Sequence, residues 1–390
     1  MSLLKRIERY NQELSPQLKE FKWRAMQEGP FRFYRGTCHL FAEDFASIYK
    51  HRPRLKIWNC GDPHLENFGS YKGENRQVYF DINDFDEAFA GSPEHDLARF
   101  LTSFVIASND SNVAHIKIHK AIHDMLAIYS NAIRQRKSLM MESEVAYGEF
   151  KKFFGQMSSV NRETFIASRT QKEKGVLRLK TDNKKYLAIN QDLKLKLFES
   201  LTPLISKSKR FSEMIFEDAA IRIAGTGSLG LHRYCVLFYS RKKGKQYLLD
   251  IKEARSSCYD IATPHHFKNE ADRIINIGRI MQFATPAFMT TLKMDKKWFV
   301  IRELQPTADK IALDELVGDF NRLTEVATQM VQLLAWAHLR GSGHYGASTA
   351  DDLVRFAEKK QWIRDITEVS GTLALNNARY YKTFCAKTGK

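Results

Sequence analysis

A chain of 390 residues, 43% hydrophobic and 12% aromatic, reads as an ordinary globular protein with a core large enough for two lobes. The formal charge of +16 and pI near 9.5 predict attraction to polyanions such as nucleotides, nucleic acid or an acidic membrane face, without choosing among them. Five cysteines (Cys38, Cys60, Cys235, Cys258, Cys385) with no close C-x-x-C pair exclude a zinc or dithiol motif; a charge-studded start and the lack of a long apolar run exclude a signal peptide and a membrane span, so a cytoplasmic location is expected.

Residues 1–45 read as helix and loop, ending in "FRFYRGTCHLFAEDF". In "NCGDPHLENFG", Asp62 precedes Asn67 by five residues. That is the spacing of a kinase catalytic loop, in which the Asp orients the attacking hydroxyl and the Asn holds a metal ion. "QVYFDIND" then alternates Val78, Phe80 and Ile82, a strand pattern, and delivers Asp81, Asp84, Asp86 and Glu87 just beyond. A magnesium-binding carboxylate is needed shortly after such a loop, and Asp84 sits just past the strand. "HDLARFLTSFV" places Leu97, Phe100, Leu101, Phe104 and Val105 at helical spacing behind Asp96, which is expected to cap the first turn.

From about 113 to 210 the patterns are helical, and the basic run from Arg169 to Lys185 reads as a solvated loop or arm. After Phe211 the pattern changes to strand, glycine loop, strand, a turn at "RKKGK", and a third strand. The loop "GTGSLG" (Gly225, Gly227, Ser228, Gly230) fits G-x-G-x-x-G, which alone is a weak signal. A dinucleotide turn must open into a helix. "LHRYCVLFYS" is instead strand-like, so the kinase hairpin that covers phosphates is the better reading. Lys252, twenty-two residues after Gly230 in "LLDIKEA", stands where a kinase strand offers its phosphate-binding lysine, and Glu270, at the head of a helix from Phe267 to Gln282, is its expected carboxylate partner. "KKWFVIREL" predicts another strand leading into a hinge-like "IRELQP". From about Asp314 the chain is helical again, with Leu323, Val326, Met330, Leu333 and Ala337 as one apolar stripe.

"CGDPHLENFG" with "NDFDEAFAGSPEHDLA" resembles the core of aminoglycoside and choline phosphotransferases, H-G-D-x-x-x-x-N followed by I-D-x-x-D-x-x-x-G-D-P-x-x-D-L-A. The resemblance implies that Asp62 is the catalytic aspartate, that Asn67 and Asp84 are the metal ligands and that Asp96 is the helix-capping aspartate; Asp81 suits the usual spacing slightly better than Asp84. Cys60 stands where histidine is usual and Ser92 where aspartate is usual, which bears on how the loop is anchored. The helix "MVQLLAWAHLRGSGH" resembles the one that precedes a kinase catalytic loop, yet it lies near the C-terminus, as in a circularly permuted chain. The whole length also resembles a bacterial family catalogued as domain of unknown function 2252, through "FRFYRG", "CGDPHLENFG", "FDINDFDE", "GTGSLG", "IKEA", "GRIMQ" and "IRELQP".

These readings imply an α+β, two-lobed, protein-kinase-like fold, circularly permuted, with a small antiparallel β lobe and a large helical lobe. The expected divisions are 1–135 (catalytic and metal loops), 136–210 (helical connection), 211–305 (nucleotide-binding lobe) and 306–390 (rest of the helical lobe). The function implied is ATP- and Mg2+-dependent phosphoryl transfer to a hydroxyl-bearing acceptor whose identity is not legible, nor is the oligomeric state. A nucleotide-binding pseudokinase or scaffold, or transfer of AMP, stays open as an alternative. No nucleic-acid-binding motif stands out, which counts against a nucleic-acid partner. Arg35 and His64 are either pocket-lining groups or hydrogen-bonded structural side chains.

Overall fold

A computed structural model describes the chain apart from residues 51–54, 110–112, 159–160, 183–184, 208–212, 260–265, 305, 307–309 and 390. It opens with four helices, α1 (Leu3–Tyr10), α2 (Pro16–Gln27), α3 (Pro30–Gly36) and α4 (Cys38–Ile48). Ser15 starts α2 by accepting from the Leu18 N–H, with Pro16 in the first turn, where its missing N–H is no loss. Two small antiparallel sheets follow. In one, β1 (Ile57–Asn59) pairs with β4 (Phe89–Gly91); in the other, β2 (Phe68–Lys72) pairs with β3 (Val78–Ile82). The β1–β2 connection carries Asp62 and Asn67 and the β3–β4 connection carries Asp84, so these pairings bring both acidic loops to one place.

Next come α5 (Pro93–Ser108), α6 (His115–Arg134), α7 (Gly148–Ser158) and α8 (Arg162–Ala167). The cap of α5 differs from expectation. Ser92 accepts from the Glu94 N–H, while Asp96 lies a turn inside the helix and binds elsewhere. The basic run is likewise structured: β5 (Thr170–Glu173) and β6 (Val176–Leu179) form a hairpin, and β7 (Tyr186–Leu187) joins the edge of a larger sheet. Arg178 donates to the Glu217 carbonyl and the Leu179 N–H donates to Asp218, so side-chain charge outside the hairpin conceals backbone pairing within it.

After α9 (Gln191–Lys207), a six-stranded antiparallel sheet is built from β8 (Met214–Arg222), β9 (Arg233–Ser240), β10 (Lys245–Glu253), β11 (Met289–Met294) and β12 (Lys297–Leu304), in the order β11-β12-β10-β9-β8-β7. β11 was not expected. Its short "MTTLKM" run is amphipathic and pairs only through the tight turn into β12. In β9 the strand period sends Tyr234, Val236 and Phe238 to one apolar cluster, shared with Leu197 and Leu201 of α9, and Cys235 and Leu237 to another. Helix α10 (Glu270–Met281), capped by Asn269, packs on β11 and β12.

The C-terminal part is α11 (Phe320–Gly341), α12 (Ala350–Glu358) and α13 (Gln361–Thr388). The apolar stripe of α11 is buried against α5 and α6 in the main core, which also takes Ile274, Ile277 and Met281 from α10. All five cysteines are free thiols. Among the described residues no helix is long and apolar enough to cross a membrane. The expected boundary at 211, Asn183 and Lys184 of the basic run, and Gln305 of the hinge-like segment lie outside the described residues.

Candidate active site

Asp96 hangs the Asp62 loop from the helical core. Its carboxylate accepts from the N–H groups of Cys60 (2.8 Å) and Gly61 (2.9 Å) and meets His338 Nε2 of α11 at 3.2 Å. Gly61 has φ +85°, and a Cβ there would sit 2.0 Å from the Glu87 carbonyl oxygen, so this turn has room only for glycine. Asn67 then ties the two acidic loops together. Its amide nitrogen donates to the carbonyls of Asp62 (2.9 Å) and Asp84 (3.1 Å), and its oxygen accepts from the Asp84 N–H (2.9 Å).

Asp62 has one oxygen committed. Arg99, fully buried in α5, donates Nε to Asp62 Oδ1 at 2.7 Å, donates Nη2 to the Tyr34 carbonyl and stacks 3.6 Å from the Tyr34 ring centroid. Burial pushes the Asp62 carboxyl up to about 6, with Arg99 pulling the other way. The second oxygen faces His64 Nε2 at 3.8 Å. His64 is held neutral, its pKa driven far down by burial and by the nearby Arg35 and Arg99 cations, while its Nδ1 accepts from the Glu66 N–H. Arg35 pairs with Glu66.

Lys252 reaches across from β10. Its ammonium lies 2.7 Å from Asp84 Oδ2 and 2.5 Å from Asp86 Oδ2. Burial would weaken this cation, but the two carboxylates outweigh burial and raise its pKa. Burial also opposes ionisation of Asp84, and here Lys252 and Arg302 prevail, holding it below the usual carboxylate range. Asp86 goes the other way, pushed up to about 6 by burial and by Asp84 beside it.

The expected Lys252–Glu270 pair is not formed. Glu270, the first residue of α10, accepts from Arg273 Nε at 2.6 Å and from Ser256 Oγ at 3.3 Å. Arg273 lies one turn along the same helix, its guanidinium anchored by the carbonyls of Ala88, Asp86 and Arg255, and intercepts the glutamate first. Asp81 is also away from the cleft. It is buried, takes an ion pair from Arg340 (2.7 Å) and accepts from the N–H groups of Ile82 and Phe283, which leaves Asp84, 45% exposed, as the carboxylate beside Asn67.

A cavity of about 380 Å³ is lined by Asp62, His64, Asn67, Asp84, Asp86, Lys252 and Arg35 together with Gly225, Gly227 and Ser228 of the glycine loop. The structure thus brings together residues from both ends of the expected motif order. Gly230 stands outside the cavity: at φ +104° it packs against Leu14, where a Cβ would come within 2.4 Å of Cδ1. A larger cavity, about 510 Å³, lies between β6, β8 and α9 and contains none of these residues.

Sequence reasoning missed Arg99, the role of Asp86, and a cavity-lining cluster in which Arg222 and Arg233 both pair with Asp250. The signal was a charge set into an apolar run, "LARFL" for Arg99 and "LLDIK" for Asp250, because such a charge requires a buried partner. Among the described residues no group of three or more His, Cys, Asp or Glu side chains is placed to hold a metal ion unaided. Asn67 Oδ1 already accepts from the Asp84 N–H and Asp84 Oδ2 from Lys252. An ion such as magnesium, which needs only one or two protein oxygens with waters and substrate phosphates completing its shell, could still be met by their remaining lone pairs.

Residues 14–387 match a family described as "Uncharacterized protein conserved in bacteria (DUF2252)". The chain belongs to this family. No curated protein and no solved structure matches it. The DUF2252 match runs from the loop before α2 into the last turn of α13, so it covers every side chain of the cleft described above.

Proposed function

We propose that the chain is an ATP- and magnesium-dependent phosphotransferase with a circularly permuted kinase-like fold, acting on a hydroxyl-bearing acceptor. The observation that carries this reading is the Lys252–Asp84 ion pair, made across 168 residues of sequence in a cavity shared with Asp62, Asn67 and the glycine loop. The permutation is supported by the end of α11. Trp58 Nε1 donates to the His344 carbonyl (2.9 Å) and the Ser348 N–H to the Lys56 carbonyl (2.7 Å), so the chain leaving α11 runs beside the strand that enters the Asp62 loop.

In this reading the loop from Gly225 to Gly230 lies over the nucleotide, with Gly225, Gly227 and Ser228 facing the phosphates. Lys252 grips them while Asp84 and Asp86 aim it. Asn67 and Asp84 would hold magnesium, which neutralises charge on the phosphate oxygens. Arg99 fixes Asp62 by one oxygen and leaves the other for the acceptor. As the acceptor oxygen bonds to the terminal phosphorus, the bond from phosphorus to the leaving diphosphate breaks, and the hydroxyl proton passes to Asp62.

Calorimetry with and without magnesium tests the binding half, and a protein that takes up no nucleotide under either condition removes the proposal. Asp62→Asn tests the chemistry: nucleotide affinity stays close to wild type while turnover falls by roughly 10² to 10⁴. Tight binding with no ADP, AMP or phosphorylated product from the wild type would mark a nucleotide-binding scaffold instead.

A further inference from the structure

We infer that Arg255 recognises the terminal phosphate of the bound nucleotide. The inference rests on the phosphotransferase reading and deepens it.

Arg255 lies three residues beyond Lys252 and lines the same cavity. The other cavity arginines are all engaged: Arg35 by Glu66, Arg222 and Arg233 by Asp250, Arg302 by the Asn83 carbonyl. Among the described residues the Arg255 guanidinium has no hydrogen-bond or ion-pair partner. Burial pulls it below its ordinary pKa, against an opposing pull from Cys258, and among the described residues no carboxylate pairs with it. An uncompensated guanidinium in a cleft is unfavourable until an anion arrives.

Its position is nevertheless fixed. The guanidinium sits 4.1 Å from the Tyr10 ring centroid, and Tyr10 is itself stacked on His39 and donates its hydroxyl to Glu87. The Arg255 carbonyl accepts from Arg273 Nη2, which also donates to the Asp86 carbonyl, so the backbone is tied to the Asp84–Asp86 loop. Farther on, Ser257 Oγ donates to the Glu87 carbonyl and Tyr259 hydroxyl to the Gly61 carbonyl. The segment therefore spans from Lys252 to the Asp62 loop. The phosphate in transit must lie between those two groups, and there a planar fork of N–H donors meets a phosphate best.

Binding of ATP, ADP and AMP in magnesium, measured by calorimetry on wild type, Arg255→Met and Arg255→Lys, tests this. Arg255→Met is expected to weaken ATP by roughly tenfold or more while ADP and AMP stay within about twofold, and Arg255→Lys to fall between. Unchanged AMP binding shows that both variants are folded. If wild type binds ATP and Arg255→Met weakens ATP and ADP equally, or neither, the assignment to Arg255 is overturned and the phosphotransferase reading stands. If wild type binds no nucleotide, the underlying reading fails instead. Inorganic phosphate is also titrated into the ADP-saturated protein: if Arg255→Met abolishes its binding while sparing the ATP-to-ADP ratio, the phosphate recognised belongs to an acceptor, which overturns the nucleotide assignment.

Discussion

Asp62 is pulled in two directions, upward in pKa by burial and downward by Arg99, and the balance lies at about 6. In the proposed reaction Asp62 accepts the hydroxyl proton and would work only when ionised, so the rate would follow the fraction of carboxylate. The acid limb of kcat/KM, which reports the free enzyme, is therefore expected near pH 6. Arg99→Met removes the group that holds the value down, so the limb moves to higher pH, whereas Arg99→Lys keeps a charge and moves it less. A pH–rate profile checks this; a limb left in place by Arg99→Met would mean that Asp62 is not the titrating group. The same substitution strands a buried carboxylate and is expected to cost about 3 kcal/mol of stability in urea unfolding. The positions of Asp62, Asn67, Asp84 and Lys252 were legible because each depends on spacing along a local segment. Arg99 and Asp86 were not, since their meaning lies in a partner delivered by another element, and Glu270 misled because Arg273, one turn away, competes for it.

At the scale of elements, the glycine loop is held down by α2. Lys22 is buried, donates to Asn11 Oδ1 (2.9 Å) and to the Gly227 carbonyl (3.0 Å), and is lowered by burial to about 8 against the opposing pull of Glu87. Between about pH 8 and 10.5 the folded protein has released this proton while the unfolded chain still carries it, so stability attributable to Lys22 rises with pH through that window. The difference in urea midpoint between wild type and Lys22→Met is therefore expected to grow in favour of wild type from pH 7 to 10. A difference that stays constant would show that Lys22 is not the titrating latch. Strands with alternating apolar residues, such as β9 and β10, were readable from sequence. The β5–β6 hairpin was not, because exposed basic side chains hide a pairing made by backbone groups around Gly175, and β11 was missed because its few residues gain their order from β12.

For the whole molecule, what counts is which surfaces meet, and chain order only has to allow it. Leu3 and Leu4 of α1 pack in the same apolar cluster as Tyr380, Phe384 and Cys385 of α13, and Gln27 Nε2 donates to Thr388 Oγ1 at 2.9 Å. A short linker can therefore join the C-terminal end of α13 to the start of α1, and the chain can be opened between α9, which ends at Lys207, and β8, which starts at Met214. In the proposed permuted-kinase reading, the rearranged order of glycine loop, Lys252, α11, Asp62 loop and Asp84 would be that of an unpermuted kinase. The contacts among the described elements are expected to survive the change, including the antiparallel pairing of β7 with β8, leaving a loop-closure entropy on the order of 1 kcal/mol as the main difference. Such a permutant is expected to unfold cooperatively with a melting midpoint about 1 °C below the parent, and to bind nucleotide as the parent does. Circular dichroism melting and calorimetry check both points. A permutant that folds yet loses the nucleotide would show that the cleft depends on continuity through 208–212, and the permuted-kinase reading would lose its physical basis.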